Sequence, residues 1–504
     1  MYIFKKNNNS LPNGKHDIIS EFIRHCIFRH IQERMPNDLK EQLTLLPPLD
    51  QLPEDIKRPF QSLCELAFTG VMEDRVIFTS LPSNFNTLGL LQGVESADCG
   101  WTISYNFLHL SVQEFMAAYY IDTQLSAAEQ VSTFNKLFQS QSSRFVAVLN
   151  FYAARTKLKT SGIGNLLTRI AAECGVERPM KRDKILLRSL VHCLYEAQDL
   201  SLCESVACRL QHGLDLSCIT LSSKDCLSIG YFLSCVCKTT HKEFKADLGW
   251  CSIDDQGCKY LISGLRRCFD IQTDINAILN INMRNNRIHA QGVRHLSELM
   301  QCTVKLNLIM NKYVSDEGTS YIVRQLKSNR SLKTLNLQDC GLTSSGAKYL
   351  ADALDTNAYL ENLYIGVNNL GDTGIQHIAR ALKNNHSLKR LRLVTCNITD
   401  LGLKHLAKSL QQNDTLKELY IRSYFAPYQN VVTDKEIPHL IDCLKNNTAL
   451  TMLVLPKDNE QSITTIQEAV NNVRKKNGLP NVEVKGESCI HAWSSTPLQI
   501  MVGP

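Results

Sequence analysis

The feature that most constrains this 504-residue sequence is a repeat in its second half. The same pattern begins at Leu332 with "LKTLNLQDCGLTSSGAKYLADAL", at Leu360 with "LENLYIGVNNLGDTGIQHIARAL" and at Leu388 with "LKRLRLVTCNITDLGLKHLAKSL", so its period is constant. One such segment cannot bury its own apolar face, whereas stacked neighbours can. The sequence therefore predicts a series of stacked modules.

Looser copies extend this repeat in both directions. They begin at Leu214, Leu248, Ile281, Leu416 and Leu450. The last step, from Leu416 to Leu450, is longer than the regular period, and its extra residues fall in or near "SYFAPYQNVV". A final strand in "LPNVEVKGE", from Leu479, is expected to close the array.

Within each copy a two-residue period changes to a helical period. Leu335 and Leu337 alternate as in a short strand, and Leu350, Ala351 and Leu354 then form one apolar helical stripe. The pattern L-x-x-L-x-L-x-x-(N/C)-x-L resembles the leucine-rich repeat in its 28-residue, ribonuclease-inhibitor-like form. This resemblance implies an α/β fold, a curved solenoid whose parallel strands line the concave side.

Three further positions recur in phase with the repeat. Cys340, Asn368 and Cys396 are expected to pack beneath the turn after each strand, and a glycine at 346, 374 and 402 is expected to open each helix. Asn-x-Ser/Thr triplets at 329, 385 and 413 look like glycosylation acceptors. They share one phase of the repeat, where a helix ends, so we interpret them as left-handed helix caps.

The N-terminal part is not repetitive. Its pattern predicts a helix from about Glu54 to Gly70, a short strand, and a second strand in "WTISYNFLHL". The stretch "FLHLSVQEFMAAYY" then begins a helix, for which Ser111 and Glu114 have the spacing of a capping box. This order suits a winged-helix-like module from Ile18 to Ile121.

Four N-terminal motifs carry a further resemblance. They are "EFIRHCIFRHI", "LCELAFTGVMEDRVIF", "LGLLQG" and the His-Leu-Ser-x-Gln-Glu-Phe run. Together with the repeats they are similar to the C-terminal part of NOD-like receptors. The resemblance implies a leader at 1–17, a winged-helix domain at 18–121, a helical domain at 122–210, a sensing repeat array at 211–456, and a cap with a loose tail at 457–504.

The resemblance also raises the question of nucleotide binding. His109 matches the family histidine that touches the phosphates of bound ADP, yet no G-x-x-x-x-G-K-[ST] phosphate loop occurs in the sequence. We therefore expect poor nucleotide affinity, no cofactor and a structural role for His109. A truncated product, a partial gene model and a family member without the NACHT ATPase core all stay open as explanations.

Composition limits the class of protein. The formal charge is only +6 and is not clustered, so nucleic acid is not expected as a partner. The sequence shows no signal peptide and no apolar run of membrane-spanning length, which predicts a soluble, cytoplasmic protein. Its 19 cysteines include no C-x-x-C pair, so buried free thiols are expected rather than disulfides or a metal site.

Candidate partner-binding residues follow from the repeat phase. Side chains between the strand leucines point out of the sheet, so residues at the same phase of successive repeats form columns. Arginine and tyrosine, common anchors of protein interfaces, gather in the C-terminal repeats. The predicted partner-binding residues are Tyr364, Arg390, Arg392, Tyr420 and Arg422, with Tyr424, Phe425 and Tyr428 at the margin.

Two functions from different classes remain, with an enzyme as a third. The first is a non-enzymatic NOD-like-receptor-type sensor, regulator or decoy that binds a protein ligand, or other receptors of that family, through its repeats. The second is a scaffold or inhibitor similar to ribonuclease inhibitor, which would not need the His-Leu-Ser-x-Gln-Glu-Phe region. We expect no enzyme, since no nucleophile elbow, paired metal histidines or phosphate loop is present.

Overall fold

The computed structural model describes residues 15–34, 47–79, 81, 87–96, 102–142, 144–157, 161–239, 242–267, 278–423, 428–456 and 460–485. The chain forms two compact units. We call them the helical module, Met1–Cys174 with Leu186–Arg209, and the repeat array, Gly175–Ile185 with Leu210–Pro504. None of the helices in the described ranges is long and apolar enough to cross a bilayer.

The first part of the chain is mostly helical. Its elements are α1 Lys15–Arg34, α2 Glu54–Met72, β1 Ile77–Phe78, β2 Leu91–Ser96, β3 Thr102–Phe107, α3 Leu110–Gln124, α4 Ala127–Gln139, α5 Phe145–Thr156, α6 Ser161–Cys174, α7 Lys181–Ala197 and α8 Leu200–Arg209. The described strands form an antiparallel sheet in the order β1-β3-β2. The predicted helix at Glu54 and the predicted strand in "WTISYNFLHL" are therefore confirmed.

Helix α3 lies at the centre of the helical module. Ten of its residues are buried, among them Gln113 and Glu114 as well as the apolar side chains. Phe115 meets Phe151 of α5 edge to face, with ring centroids 5.6 Å apart. A helix that is buried on all sides needs partners for its polar side chains.

The capping box predicted for α3 is wrong. The helix begins at Leu110, two residues earlier than a Ser111 cap requires, and its N-cap is His109, whose Nδ1 accepts the backbone N–H of Ser111 at 3.1 Å. Ser111 therefore lies inside the first turn and does not cap it. A true capping box starts α4, where Ser126 and Glu129 exchange hydrogen bonds.

The second part of the chain alternates strand and helix. Its elements are β4 Leu214–Asp215, α9 Ser223–Thr239, β5 Phe244–Asp247, α10 Asp255–Leu265, β6 Leu279–Asn282, α11 Ala290–Leu296, β7 Thr303–Asn307, α12 Ser315–Leu326, β8 Thr334–Asn336, α13 Ser344–Leu354, β9 Asn362–Tyr364, α14 Gly371–Leu382, β10 Arg390–Arg392, α15 Asp400–Leu410, β11 Glu418–Tyr420, α16 Ile437–Leu444, β12 Met452–Val454, α17 Glu460–Lys476 and β13 Glu483–Lys485. The described strands form one parallel sheet in sequence order from β4 to β13.

The strand register follows the leucine spacing. Leu335, Leu363, Leu391 and Leu419 are aligned across β8 to β11, and each is fully buried. The repeat solenoid and the closing strand at the C-terminus are confirmed, the latter because β13 pairs with β12. Each added strand extends the buried leucine row by one member, so stability accumulates along the array.

One repeat was missed in the sequence. Strand β7 lies between β6 and β8, and its Leu306 pairs with Ile281 on one side and Leu335 on the other. The step from Ile281 to Leu306 is shorter than the regular period, the step from Leu306 to Leu335 is longer, and the register shifts at Leu279 and Asn280. A search at a constant period passes over such a repeat, although its leucine occupies the same buried row.

The cysteine and asparagine slot after each strand lies under the turn, as predicted. The side-chain amide of Asn368 donates to Leu337 O and Ile365 O, and its Oδ1 accepts the N–H groups of Cys340 and Leu342. We call the series in this slot the turn ladder. Its members are Cys251, Asn286, Asn311, Cys340, Asn368, Cys396 and Asn430.

The asparagines of the glycosylation-like triplets have another role than the one predicted. They are buried, and none has a positive φ, so they are not left-handed caps. The amide of Asn385 instead donates to Leu354 O and Asn357 O of the preceding repeat, while Oδ1 accepts Ser387 N and Leu388 N. The same contacts recur at Asn329, Asn357, Asn413 and Asn447.

We call this second asparagine series, Asn329, Asn357, Asn385, Asn413 and Asn447, the helix-end ladder. At its C-terminal end an arginine takes the place of the asparagine. Arg474 of α17 is completely buried, and its guanidinium donates to Leu444 O, Asn447 O and Leu450 O, while Nε donates to Pro480 O at 2.7 Å. Leu444 O and Asn447 O are the carbonyls to which the asparagine of a further repeat would donate, as Asn447 donates to Leu410 O and Asn413 O. Burial lowers the pKa of Arg474.

The glycines near the helix starts do not open the helices. Helix α15 begins at Asp400, before Gly402, with Thr399 as its N-cap. Asp372 of the preceding repeat accepts the N–H groups of Thr399 and Gly402, each at 2.9 Å. A Cβ at position 402 would lie 2.5 Å from Asp372 Oδ1. Glycine is therefore required by the close approach of that carboxylate rather than by the helix start.

Candidate functional site on the sheet face

The side chains between the buried leucines form columns on the exposed face of the parallel sheet. The central column contains Asp215, Asp247, Asn282, Asn307, Asn336, Tyr364, Arg392, Tyr420, Val454 and Lys485. Its first half is polar or acidic, and its second half is aromatic and cationic except for Val454, which is buried. The register thus brings the predicted residues Tyr364, Arg392 and Tyr420 side by side.

Arg392 lies between two aromatic rings. Its guanidinium carbon is 4.7 Å from the ring centroid of Tyr364 on one flanking strand and 4.7 Å from that of Tyr420 on the other. Each contact is a cation–π interaction of about 0.5 to 1 kcal/mol at an exposed site. Stacking on both faces restricts a side chain that is otherwise flexible, which lowers the entropy lost when a partner binds.

Glu418 organises the margin of this stack. Arg390 Nε donates to Glu418 Oε1 at 2.7 Å, and the Tyr420 hydroxyl donates to Glu418 Oε2 at 3.0 Å. Burial and the neighbouring carboxylate raise the pKa of Tyr420, so its hydroxyl stays protonated. We call Tyr364, Arg390, Arg392, Glu418 and Tyr420 the Arg392 surface.

Charges beside this surface are paired within the array. Glu361 accepts from Lys389 and Lys333 on the two flanking repeats, at 2.9 and 3.0 Å. These bonds lower the pKa of Glu361. These pairs, and the pair of Arg390 with Glu418, were not predicted. The sequence does contain a signal for them, since opposite charges occur at the same phase of neighbouring repeats.

One of the predicted positions, Arg422, does not lie on the exposed surface, and two others lie outside the described residues. Arg422 is only 7% exposed, because its column, which includes Val394, is buried at this end of the sheet. Tyr424 and Phe425 lie outside the described residues. Tyr428 is described, and its carbonyl accepts Asn397 N at 2.8 Å.

His109 belongs to the helical module. It is exposed, and its Nδ1 is used as the N-cap acceptor of α3. Within the described part of the chain, no group of three or more His, Cys, Asp or Glu side chains could hold a metal ion. Burial raises the pKa of the Cys396 thiol to about 12, so this thiol is neutral and unreactive at physiological pH.

Comparison with known proteins identifies the repeat. A leucine-rich repeat family model matches residues 328–351 and 384–407. The chain contains leucine-rich repeats. No curated protein matches the sequence.

Two solved structures are similar to part of the chain. One is the actin-binding site 2 of leiomodin-1, with 24% identity and a TM-score of 0.27, covering 31% of this chain and 87% of that one. The other is the C-terminal domain of tropomodulin from Caenorhabditis elegans, with 15% identity and a TM-score of 0.26, covering 31% of this chain and 92% of that one.

Proposed function

We propose that this chain is a non-enzymatic, cytoplasmic binding protein whose repeats recognise an acidic segment of another protein. The observation that carries this proposal is the guanidinium of Arg392 held between Tyr364 and Tyr420 on the exposed sheet face. Leucine-rich repeats are protein-interaction modules, and their sheet face is the natural place for a partner to dock.

Charge favours an acidic partner segment. The Arg392 guanidinium lies 4.7 Å from each of two ring centroids, and a guanidinium carries N–H donors that a carboxylate can accept in pairs. Arg392, held between two rings on the exposed sheet face, is the cation that we assign to a charged contact with a ligand.

The broader proposal is a NOD-like-receptor-type sensor or regulator in innate immune signalling. It is supported by the sequence resemblance and by the order of α2, β1, β2, β3 and α3 along the chain. In this order the strands of a small antiparallel sheet follow one helix and precede another, as in a winged-helix module. The domain boundaries 18–121, 122–210, 211–456 and 457–504 belong to this proposal. A ribonuclease-inhibitor-like scaffold is the alternative.

Substitution of the Arg392 surface tests the binding function. The intact chain with Tyr364, Arg392 and Tyr420 all changed to Ala is used as bait beside the wild type, and captured proteins are quantified by mass spectrometry. A matched control changes Tyr349 and Tyr359, which are exposed on other surfaces. Partners that survive in the control should fall about tenfold or more in the triple variant, and an unchanged partner profile would refute the proposal.

Nucleotide content tests the receptor-type role of His109. The His109 side chain already caps α3, and one imidazole does not supply the set of backbone donors that phosphates require. We expect no stoichiometric adenine nucleotide in acid extracts of the purified chain. One ADP per chain, lost in His109→Ala, would reverse this assignment.

A further inference from the structure

Three consecutive loops at another edge of the array carry unusually large exposed side chains. These loops, residues 248–254, 283–289 and 308–314, follow β5, β6 and β7. Trp250 is 45% exposed and Tyr313 is 70% exposed. We call Trp250, Arg284, Arg287, His289, Lys312 and Tyr313 the loop surface.

Tyr313 results from a one-residue insertion. Between the turn-ladder residue and the next buried aliphatic residue, other repeats have a single residue, as between Asn286 and Ile288. In the third loop Lys312 and Tyr313 separate Asn311 from the buried Val314. The insertion adds nothing to the leucine core, since Val314 keeps the core position, and it places a tyrosine on the surface.

The large side chains contact one another across neighbouring loops. The rings of His289 and Tyr313 are stacked, with centroids 5.0 Å apart and an interplanar angle of 17°. The guanidinium of Arg284 lies 5.7 Å from the Trp250 ring. Glycine at position 249 allows the Arg284 side chain to pass close to the backbone of this loop, because a Cβ there would lie 3.0 Å from Arg284 Cγ. The loop surface is thus a preorganised patch rather than a set of separate side chains.

The later loops of the array lack this character. Trp250 and Met310 both have positive φ, and the equivalent positions of the following repeats hold Asp339, Val367 and Thr395. All of these positions share the backbone conformation, so the fold requires the left-handed turn but not a tryptophan. The aromatic side chains are therefore a property of these particular loops.

The loop surface contains two arginines that have no acidic partner among the described residues. Among the described residues, neither Arg284 nor Arg287 forms an ion pair, and the buried Nε of Arg284 has no hydrogen-bond partner. The nearby carboxylates are engaged: Asp254 accepts Gly257 N at 2.8 Å, and Asp255 accepts His289 N at 2.8 Å. A ligand with carboxylates would complement this patch.

We propose that the loop surface is a second docking site, which binds an acidic segment of a partner protein containing apolar side chains. Tryptophan, tyrosine and arginine are the residue types that most often carry interface binding energy. Trp250 and Tyr313 would receive the apolar side chains, and Arg284 and Arg287 the carboxylates. This site is independent of the Arg392 surface.

A protein segment fits better than a nucleic acid. Nucleic-acid binding depends on many phosphate contacts, whereas this patch offers the two arginines and one lysine, Lys312, that lies 3.8 Å from Asp339. A short acidic peptide needs only one or two such contacts.

Selection from a library of short random peptides displayed on phage tests the proposal. The intact chain is the target, and selected peptides are measured individually against Trp250→Ala, Arg284→Gln, Tyr313→Ala and the control Tyr349→Ala by fluorescence polarisation. We expect a class of peptides rich in Asp or Glu with aliphatic or aromatic residues. Its affinity should fall about tenfold or more in the three loop variants and stay unchanged in the control.

Further measurements separate the possible outcomes. Arg392→Ala should leave this peptide class bound, so failure at one surface is distinguishable from failure at the other. Tyr313 is so exposed that its removal should not unfold the protein, as a thermal melt will show. The proposal is overturned if no selected peptide depends on these residues, if the dependent peptides are basic, or if oligo(U) RNA alone binds in a manner that the loop variants abolish.

Discussion

The helical module and the repeat array bury polar side chains in opposite ways. In the helical module, Gln113 donates to Arg75 O at 2.9 Å and accepts from Arg144 at 2.9 Å, a contact that occurs once. In the array, the contact made by Asn385 is repeated by an asparagine in the neighbouring repeats. The helical module depends on a hydrogen-bond network between segments that are distant in sequence. The repeat array depends on one hydrogen-bond arrangement that recurs between neighbouring repeats.

This difference predicts how each unit loses stability. A contact that joins distant segments is formed only when the whole module is folded, so its removal weakens the module as a unit. Contacts in a solenoid link nearest neighbours only, and their loss is felt locally or splits the array. Hydrogen exchange by residue range, with urea denaturation, distinguishes the two behaviours.

The largest effect is expected from Asn385→Leu in the middle of the helix-end ladder. The change leaves Leu354 O and Asn357 O without their donor and two N–H groups without their acceptor, which should cost about 4 kcal/mol. Exchange should increase first on both sides of this repeat, and unfolding should separate into two transitions. Asn384→Leu, at the exposed neighbouring position, should change stability by less than about 0.5 kcal/mol.

The next effect is that of Gln113→Leu in the helical module. It leaves Arg75 O without its donor and removes one contact of the buried Arg144, which keeps its ion pair with Asp74 at 3.3 Å, at a cost of about 3 kcal/mol. Protection should fall together across residues 102–142. Gln124→Leu on the exposed end of the same helix is the control, and a loss confined to one turn of α3 would contradict the proposed contrast.

A smaller and more local effect is expected from Arg474→Met. The change removes the donors to the carbonyls of the last repeat and should cost about 2 kcal/mol. Residues 447–485 should exchange faster, while residues 334–420 keep their protection. Lys475→Met, which alters an exposed neighbour, should do neither; a uniform loss across the array would show that the cap acts globally.

The smallest effect concerns pH. Burial raises the pKa of Asp247, so the folded protein binds this proton more tightly than the unfolded chain does. Its contribution is present below the unfolded pKa of about 4 and is lost as pH rises through the higher folded pKa. Asp247→Asn should flatten the fall of unfolding free energy above about pH 4 in urea denaturation, and a fall as steep as that of the wild type would contradict this assignment.

Much of the repeat array could be predicted because its signal is local. The spacing of Leu335, Leu363 and Leu391 encodes both strand position and burial, since alternate residues of a strand face opposite sides. The turn ladder was predicted for the same reason. The repeat around Leu306 was missed because its distances along the chain to Ile281 and Leu335 are unequal and neither matches the regular period.

Other predictions failed where a local pattern has two physical uses. Ser111 and Glu114 have capping-box spacing, but the helix begins two residues earlier than that box requires and His109 provides the cap. Asparagine at a helix end suits a left-handed cap, yet Asn385 is used as a buried amide between repeats. The choice depends on whether a neighbouring repeat presents carbonyl groups there.

The sequence by itself determined the repeated strand and helix, the buried leucine row and the residue types on the exposed sheet face. All of these depend on spacings within one repeat or between equivalent positions. Only the tertiary structure decided that Arg474 completes a row of asparagines, that Arg392 lies between two tyrosine rings and that His289 stacks on Tyr313. These contacts join side chains from different repeats, and their geometry exists only once the repeats are stacked.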